Sequence, residues 1–264
     1  MSIVYASLSV SDSLLFLVKA NLSENPAQRL SDSELLDQLS TFLFAGSDTT
    51  AISISWCLHY LSLKPELQSR LRAELMAYNS DAPTSTDPIA TLDSLPFLDA
   101  VVKETFRFAP PVHGTIRVAT QDDYIPLSEP LVLKTNELVR EIRIRKGSYV
   151  HIPIEGLNYS KDIWGDDAQC FNPDRWFSLP LSASRNPGLA NLMTFSFGSH
   201  ACIGWRFSVI EMKIFLAVLL PHFVFSPAPF TTIGKHNAII TRPYVKGKFK
   251  LGSQLPLNLS RYVA

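Results

Sequence analysis

The residues best suited to chemistry lie in the segment from Phe195 to Phe207, which reads FSFGSHACIGWRF. It holds one cysteine, Cys202, between Gly198 and Gly204 and just ahead of a strongly apolar helical pattern. A thiolate needs an electropositive, partly dry setting to stay ionised, and a metal ion is its strongest stabiliser. The glycines let the backbone bend tightly and approach a flat ligand closely. These residues favour a metal-bound thiolate; the alternative is a small buried cysteine at a loop–helix junction.

Three neighbours of the cysteine suit the same ligand. Phe195 and Phe197 are apolar residues that can form one wall of the site, and His200 can donate a hydrogen bond to a carboxylate of a bound group. Backbone amides at the start of the following helix are expected to point at the sulfur of Cys202 and withdraw electron density from it. The segment therefore predicts a thiolate with an apolar wall and a polar donor nearby.

A carboxylate and a guanidinium lie three residues apart in the segment KETFRF, as Glu104 and Arg107. Residues at positions i and i+3 share one face of a helix, so this pair can form a fixed fork of hydrogen bonds. The alternative is an exposed ion pair on a helix surface, which contributes little to stability.

A third polar cluster, AGSDTT, occupies residues 45–50 within a longer helical pattern. Serine, aspartate and threonine side chains compete for backbone hydrogen bonds and can bend or open a helix. Gly46 leaves space for something flat or diatomic against the backbone, and Asp48 and Thr49 can pass protons into such an opening. The alternative is a weak helix centre or a helix C-terminus.

Helices are expected to carry most of these residues. Ser31 is the expected N-cap of the first, and Glu34 three positions later completes a capping box. Apolar residues then recur at helical spacing for about 30 residues, which is long for a globular helix. A second helix is expected to start at residues 64–66, with Pro65 in its first turn and an exposed charged face through Glu74. Further helices are expected over Leu98–Phe108 and from about Ile203 to Leu220.

Between and after these helices the sequence indicates short strands. Residues 112–154 contain β-type segments, and the alternation in EIRIRKGSYVHI predicts a hairpin at Lys146 and Gly147. A proline- and aspartate-containing meander follows over residues 158–188, and the C-terminal tail is expected to add short strands. The predicted fold class is therefore mainly α with a minor β region.

Composition narrows the possible classes of function. The chain has 264 residues, of which 46% are hydrophobic, and 24 Lys and Arg residues balance 24 Asp and Glu residues. This balance argues against a nucleic-acid partner, which usually requires a basic excess. The three cysteines, Cys57, Cys170 and Cys202, are too far apart for a zinc site of paired CxxC ligands and do not suggest a disulfide framework. No apolar run is expected to cross a membrane.

Taken together, the motifs resemble the cytochrome P450 family. FSFGSHACIG is similar to the family's haem-binding loop, in which the cysteine thiolate is the axial ligand of haem iron. Glu104 and Arg107 match the family's Glu-x-x-Arg motif, and Arg175 in FNPDRW matches the third member of its triad, with Asp174 in place of the commoner glutamate. AGSDTT meets the pattern of the family's distal oxygen-activating helix at every position. His200 stands where the family usually has arginine.

The resemblance implies a role for each residue. Cys202 is expected to ligate the haem iron, and Asp48 and Thr49 to feed the proton relay that permits cleavage of the O–O bond. Arg117, in the strand after the Glu-x-x-Arg helix, is expected at a haem propionate, the alternative being an exposed strand arginine; His200 would be a second, pH-dependent propionate donor. The triad is expected to hold the haem-proximal side in shape without touching substrate. The expected cofactor-binding residues are Cys202, His200, Phe195, Gly198, Gly204, Arg117 and Gly46.

The implied function is a haem-thiolate monooxygenase with haem b as cofactor. It would insert one oxygen atom of O2 into an organic, lipophilic substrate, with electrons from NADPH delivered by a partner reductase. One alternative is a truncated, non-catalytic haem-binding fragment. Another is a peroxygenase or isomerase on the same fold, which needs no reductase. Those relatives often depart from the Asp-Thr pair, so Asp48 and Thr49 argue for dioxygen activation.

The resemblance covers nearly the whole chain but only the C-terminal half of the family's fold. Residues 1–264 are therefore expected to be a partial domain without the N-terminal half and the membrane anchor. Full-length members of the eukaryotic type lie on the cytosolic face of the endoplasmic reticulum membrane, whereas this chain is expected to be soluble or prone to aggregation. The long helix is expected to expose apolar surface that the other half would cover.

Overall fold

A computed structural model of the protein describes Asn21, residues 29–81 and residues 87–263. These residues fall into two compact units, one ending at Ala51 and the other beginning at Ile52. The helices are α1 (Asp32–Leu63), α2 (Pro65–Asp81), α3 (Pro88–Asp93), α4 (Pro96–Phe108), α5 (Ile154–Asn158), α6 (Lys161–Trp164), α7 (Leu181–Ser184) and α8 (Trp205–Leu219). The strands are β1 (Thr115–Val118), β2 (Asp123–Val132), β3 (Leu138–Ile144), β4 (Tyr149–Ile152), β5 (Phe223–Pro227), β6 (Ile233–Asn237), β7 (Thr241–Val245) and β8 (Leu257–Arg261). The predicted class, mainly α with a minor β region, is confirmed.

Helix α1 begins at the predicted capping box. The amide of Ser31 donates to Glu34 Oε2 at 2.8 Å, and the amide of Glu34 donates back to Ser31 Oγ at 3.3 Å. The Ser31 hydroxyl also donates to the same carboxylate at 2.8 Å. These bonds from Ser31 lower the pKa of Glu34 and satisfy amides that have no partner within the helix.

Apolar side chains on the first part of α1 are open to solvent. Leu36, Leu43 and Phe44 are 62%, 53% and 67% exposed, which confirms the expectation that this helix presents apolar surface. None of the helices within residues 29–81 and 87–263 combines the length and the apolar character needed to cross a bilayer.

The second unit is built around an apolar core shared by α2, α4, α8 and the C-terminal part of α1. Burial of such side chains is the main favourable contribution to folding, at about 25 cal/mol per Å² of apolar surface. Its fully buried members include Leu61, Leu71, Leu75, Leu98, Val101, Val102, Trp164, Met212, Leu216 and Leu220. A smaller cluster contains Ile52, Trp56, Tyr60, Ala109, Phe171 and Ile240.

Two buried polar side chains of α2 hold the end of α8 and the start of β5. Arg72 Nε donates to the carbonyl of Leu220 at 2.7 Å, and its Nη2 donates to the carbonyl of Phe223 at 2.8 Å. One turn earlier, Gln68 exchanges hydrogen bonds of 2.9 and 3.0 Å with the backbone of Phe225. Carbonyls at a helix C-terminus lack intrahelical partners, so Arg72 satisfies that of Leu220, and both side chains fix α2 to β5.

A buried ammonium group joins α3, α4 and α8. Lys213 Nζ lies 2.7 Å from Asp93 Oδ1 and 2.7 Å from Asp99 Oδ1, and its side chain is 1% exposed. Arg206 binds the other oxygen of Asp93 at 2.7 Å. Burial raises the pKa of Asp93, but hydrogen bonds from Lys213 and Arg206 outweigh this effect and hold the pKa below its ordinary value.

The strands form two nested sets of antiparallel ribbons. β1 pairs with β4 and encloses the β2–β3 hairpin, while β5 pairs with β8 and encloses the β6–β7 hairpin. In the first outer ribbon Arg117 lies opposite Val150, and in the second inner ribbon Lys235 lies opposite Pro243. Among the described residues, each strand pairs with one other strand.

The predicted hairpin at Lys146 and Gly147 is wrong, because β3 pairs with β2 and β4 pairs with β1. A turn does form there: Gly147 has a φ of +83°, which favours glycine, and its amide donates to the carbonyl of Ala119 at 2.8 Å. The turn passes the chain from one ribbon to another. Alternation of apolar and polar residues identifies strands but does not identify their partners. The predicted helices lie in place, although α4 begins at Pro96 and α8 at Trp205. The charged face expected on α2 is not exposed throughout, since Arg72 is 4% exposed.

The environment of Asp93 predicts a defined dependence of stability on pH. Since the folded state depresses the pKa of Asp93 below its ordinary value of 3.8, its contribution is present above about pH 4 and is lost as the pH falls through the folded-state pKa. We expect Asp93→Asn to lower the free energy of unfolding at neutral pH and to flatten its decline below about pH 4. Urea titrations over a pH series measure both effects. Asp162→Asn, at an exposed position on α6, controls for the loss of one carboxylate, and equal pH slopes in Asp93→Asn and wild type would contradict the assignment.

Candidate functional site

The Glu104 carboxylate of α4 is buried among cationic donors. Its side chain has no exposed surface, and neither has that of Arg107. Arg107 donates from Nη2 to Oε1 at 2.8 Å and from Nε to Oε2 at 2.9 Å, while Arg175 Nε lies 3.2 Å from the carboxylate. The fork expected from the spacing of Glu104 and Arg107 is therefore inside the protein, and the alternative of a surface ion pair does not apply.

Two further donors complete this group, the Glu104 cluster, defined as Glu104, Arg107, Arg175, Asn172 and Trp176. The amide of Asn172 donates to Glu104 Oε1 at 2.7 Å, and Trp176 Nε1 donates to Oε2 at 3.1 Å. The sequence did not predict either contact. The only signal was that Trp176 follows Arg175 directly in the meander. A carboxylate with this many donors carries a stabilised charge in a dry interior.

A second carboxylate, that of Asp167, balances the Arg175 guanidinium. Arg175 donates from Nη1 to Oδ1 at 2.8 Å and from Nη2 to Oδ2 at 3.0 Å, and Asn172 Nδ2 donates to Oδ2 at 2.8 Å. Burial raises the pKa of Asp167, but the bonds from Asn172 and Arg175 outweigh burial and lower it overall. Asp167 was not predicted either, although it lies in an acidic pair shortly before the arginine.

The remaining donors of Arg107 hold the meander in place. Its Nη1 donates to the carbonyls of Asn158 and Ala168 at 2.6 and 2.7 Å, and its Nη2 donates to the carbonyl of Cys170 at 2.9 Å. One buried guanidinium therefore fixes the backbone at three points on a segment with little regular structure.

Cys202 lies on an exposed loop just before α8. Its amide donates to the carbonyl of Phe195 at 2.8 Å. Gly198 has a φ of +64°, a conformation that residues with side chains rarely adopt. A Cβ at Gly204 would stand 4.0 Å from Cys202 Sγ, an ordinary van der Waals contact. The loop presents a free thiol at the surface, and the alternative of a buried structural cysteine is excluded.

The aromatic and aliphatic residues of this loop point in different directions. Phe195 turns inward, and its ring packs edge-on against Phe106 of α4 with centroids 4.8 Å apart. Phe197 and Ile203, in contrast, are 52% and 81% exposed. Phe195 thus holds the loop to α4, while Phe197 and Ile203 offer apolar surface in the loop that carries Cys202.

The available donors fit haem better than a bare metal ion. Within residues 29–81 and 87–263, no three His, Cys, Asp or Glu side chains are arranged to hold a metal ion. A single thiolate is a sufficient protein ligand when a macrocycle supplies the other ligands of iron. Phe197 and Ile203 also leave apolar surface exposed in the same loop, as contact with a flat apolar group requires. The residues present therefore fit a haem held by Cys202.

The two predicted propionate donors lie in the second unit. Arg117 is half-buried on β1, where its Nη1 donates to Thr115 Oγ1 at 2.8 Å and to the carbonyl of Ile116 at 3.0 Å. His200 is exposed in the short turn before Cys202. Binding of a propionate by Arg117 or His200 stays a prediction.

The AGSDTT motif forms unbroken helix within α1. Thr49 Oγ1 donates to the carbonyl of Ala45 at 2.7 Å, and Ser47 Oγ donates to that of Leu43 at 2.7 Å. Such bonds to the preceding turn satisfy the hydroxyls without opening the helix. A Cβ at Gly46 would meet no atom within 4 Å, and α1 continues to Leu63, so the motif is not a helix end. The proton-transfer role of Asp48 and Thr49 stays a prediction.

The other two cysteines occupy different environments. Cys57 is fully buried, and burial raises the pKa of its thiol to about 12, against a smaller lowering effect from a hydrogen bond with Thr105. A thiol so rarely ionised is a poor ligand or nucleophile. The Cys170 side chain is exposed. Its backbone carbonyl accepts a hydrogen bond from Arg107 of the Glu104 cluster.

Comparison with known proteins identifies several similar sequences. The family model described as Cytochrome P450 matches residues 5–251. Cytochrome P450 monooxygenase 128 of Postia placenta is 41% identical over 261 residues, which are 97% of this chain and 47% of the relative. The ganoderic acid synthetase CYP5150L8 of Ganoderma lucidum is 40% identical over 220 residues, covering 81% of this chain and 40% of the relative.

A solved structure agrees with these sequences. The crystal structure of a cytochrome P450, CYP102L1, superposes with a TM-score of 0.71 at 26% sequence identity. The superposition covers 93% of this chain and 50% of that one. The chain therefore spans about half the length of the relatives it matches.

The Glu104 cluster predicts a large loss of stability when its charge is removed. Glu104→Gln would leave the buried Arg107 guanidinium without a counter-charge and Arg175 with Asp167 alone, and breaking a buried pair costs about 3–5 kcal/mol. Asp174→Asn is the matched control in the same segment, because Asp174 and Arg70 form an exposed pair at 2.6 Å whose loss costs less than about 1 kcal/mol. Urea unfolding of both variants measures the difference, and equal losses of unfolding free energy would contradict the role given to Glu104.

Proposed function

Because this chain belongs to the cytochrome P450 family, we propose that it is the haem-binding part of a haem-thiolate monooxygenase, with Cys202 as the protein ligand of the iron. Its fold is that of the C-terminal half of the family's domain. The reaction proposed for the whole protein is the insertion of one oxygen atom of O2 into an organic, lipophilic substrate.

One observation carries this proposal. The thiol of Cys202 is exposed, and Phe195 in the same loop packs against Phe106 of α4, the helix that carries Glu104 and Arg107. A cysteine kept only for packing would be buried, as Cys57 is. An exposed thiol on a rigidly supported loop is instead suited to bind a ligand from outside.

The residues of this chain would perform separate tasks around the cofactor. Haem, when bound, supplies the redox chemistry by which O2 is activated. Cys202 Sγ would hold the iron, and Arg117 and His200 would pair with the propionate groups. Phe197 and Ile203 would exclude water from the side of the thiol. The Glu104 cluster would keep the loop and the meander in shape without contacting the substrate.

Asp48 and Thr49 are proposed as the proton-transfer residues. The proposal rests on the sequence motif and on the local geometry of α1. Thr49 Oγ1 is a hydroxyl and can both accept and donate a hydrogen bond; its proton is donated to the carbonyl of Ala45, so transfer through Thr49 would require the hydroxyl to turn from that carbonyl. The Asp48 carboxylate would exchange protons with the surrounding water.

The other components of the reaction are proposed for the whole protein. Electrons would come from NADPH through a partner reductase, and the full-length protein would act on the cytosolic face of the endoplasmic reticulum membrane. One relative is named for the synthesis of ganoderic acid, which agrees with an organic substrate. The zero net charge, with 24 basic and 24 acidic residues, supports a small-molecule substrate rather than a nucleic acid.

The assignment of Cys202 predicts a loss of haem ligation in one cysteine variant and not in another. We expect the reduced wild-type chain, reconstituted with haem, to give a thiolate-type Soret band in its carbon monoxide difference spectrum. Cys202→Ser should abolish that band because an alcohol does not replace the thiolate. Cys170→Ser, which alters another exposed cysteine, should retain it.

Two outcomes would contradict this assignment. A thiolate-type band that survives in Cys202→Ser would show that another residue ligates the iron. The absence of a band in the wild type would favour a non-catalytic fragment that does not hold haem as a thiolate complex.

A substitution in the AGSDTT motif of α1 is expected to lower the amount of product formed per electron consumed and to leave haem binding unchanged. In Thr49→Ala the haem spectrum should be unchanged, but the amount of product formed per electron consumed should fall at least about tenfold, because proton delivery contributes 10²–10⁴-fold in typical enzymes. The matched control is Thr41→Ala, since Thr41 makes the same hydroxyl bond to the preceding turn of α1, to Asp37 at 2.8 Å. Equal amounts of product per electron in Thr49→Ala and Thr41→Ala would contradict a proton-transfer role for Thr49.

A further inference from the structure

The C-terminal end of α4 presents three consecutive carbonyl groups that are each capped by a side chain. The last carbonyls of a helix have no intrahelical partner and need another donor when they are buried. Here the donors come from three different segments of the second unit. Thr194 Oγ1 donates to Phe106 at 2.9 Å, Asn158 Nδ2 to Arg107 at 2.9 Å, and Lys235 Nζ to Phe108 at 2.7 Å.

Thr194 stands directly before the loop that carries Cys202. Its hydroxyl bonds to the carbonyl of Phe106, and the ring of the next residue, Phe195, packs on the ring of the same Phe106. The carbonyl of Phe195 in turn accepts the amide of Cys202 at 2.8 Å. The Thr194 hydroxyl therefore fixes to α4 the residue that holds the backbone of the cysteine.

Asn158 connects this hydroxyl with the Glu104 cluster. Its backbone carbonyl accepts a bond from Arg107 Nη1 at 2.6 Å, and its Nδ2 donates to the carbonyl of Arg107. The same Nδ2 donates a long hydrogen bond of 3.5 Å to Thr194 Oγ1, which itself donates to the carbonyl of Phe106. Asn158 is 2% exposed, so no water competes freely for these bonds.

We propose that Thr194 and Asn158 are positioning residues for Cys202. Neither would touch the haem or the reacting atoms. Asn158 orients the Thr194 hydroxyl, and that hydroxyl holds the start of the cysteine loop at a fixed distance from α4, so that Sγ is presented to the iron in one position. The inference rests on the proposed function of Cys202 as the haem ligand and adds the path by which the Glu104 cluster acts on it.

The neighbouring cap, at the carbonyl of Phe108, allows Thr194 to be changed without unfolding the protein. Lys235 and Tyr159 both donate to the carbonyl of Phe108, and Lys235 is also paired with Glu155 at 3.0 Å. The end of α4 therefore stays anchored when Thr194 is changed. Thr194→Val removes the hydroxyl at nearly constant shape, whereas Thr194→Ser keeps it.

The first test measures hydrogen exchange in the full chain without added haem. In Thr194→Val the amide of Cys202 should exchange at least about threefold faster than in the wild type, the range expected for loss of one supporting hydrogen bond. Thr194→Ser should match the wild type. The amide of Leu220, bonded to Leu216 within the core, serves as the reference for global stability. Asn158→Leu should reproduce the local effect of Thr194→Val.

Two exchange results would overturn the positioning role. One is an unchanged rate at Cys202 in Thr194→Val. The other is an equal acceleration at Cys202 and Leu220, since that would show a general loss of stability rather than release of the loop.

The second test uses the haem-loaded chain. The fraction of the reduced carbon monoxide complex with a thiolate-type Soret band should fall at least about twofold in Thr194→Val and recover in Thr194→Ser. If the band is as strong in Thr194→Val as in the wild type, the proposed link to the ligand is wrong. If the wild type gives no such band, the proposed function of Cys202 fails, and the exchange experiment still decides whether Thr194 positions the loop.

Discussion

The buried charge of Glu104 constrains the surrounding structure more than any other interaction in the second unit. A carboxylate without exposed surface would be very unfavourable if unpaired, because no water remains to solvate it. The chain must therefore bring Arg107, Arg175 and Trp176 to it in fixed positions. This requirement gives the meander a unique path although it has little regular secondary structure. Burial of the charge specifies a conformation at least as much as it adds stability.

The same cluster connects the helical core with the exposed loop of Cys202. Arg107 bonds to the backbone of Asn158, and the side chains of Asn158 and Thr194 both bond to carbonyls at the end of α4. The loop is thus exposed at its thiol but tied at its base. Such an arrangement leaves a ligand access to the sulfur while limiting the positions that the sulfur can occupy.

Features set by local sequence were predictable, and those set by distant partners were not. The capping box of Ser31 and Glu34, the helices α1, α4 and α8, and the fork of Glu104 and Arg107 depend on residues a few positions apart. Strand partners depend on residues far along the chain, which is why the hairpin at Gly147 was wrong. Thr194 was not predicted for the same reason, because it bonds to the backbone of a residue 88 positions away. Every residue has a backbone carbonyl, so such an acceptor leaves no pattern in the sequence.

The nesting of the ribbons determines where this chain can accommodate insertions and deletions. In each set the outer strands, β1 with β4 and β5 with β8, bring together the two ends of the inner hairpin. The β2–β3 hairpin can therefore lengthen, shorten or change its tip while both of its points of attachment remain where they are. Its tip, residues 133–137, is exposed to solvent. The β6–β7 hairpin differs, because Ile240 at its tip is buried in the smaller apolar cluster and the carbonyl of Thr241 accepts a hydrogen bond from Trp56 Nε1 at 3.2 Å. Insertions and deletions should therefore be tolerated at the tip of β2–β3, where they reshape the surface without disturbing the cysteine loop.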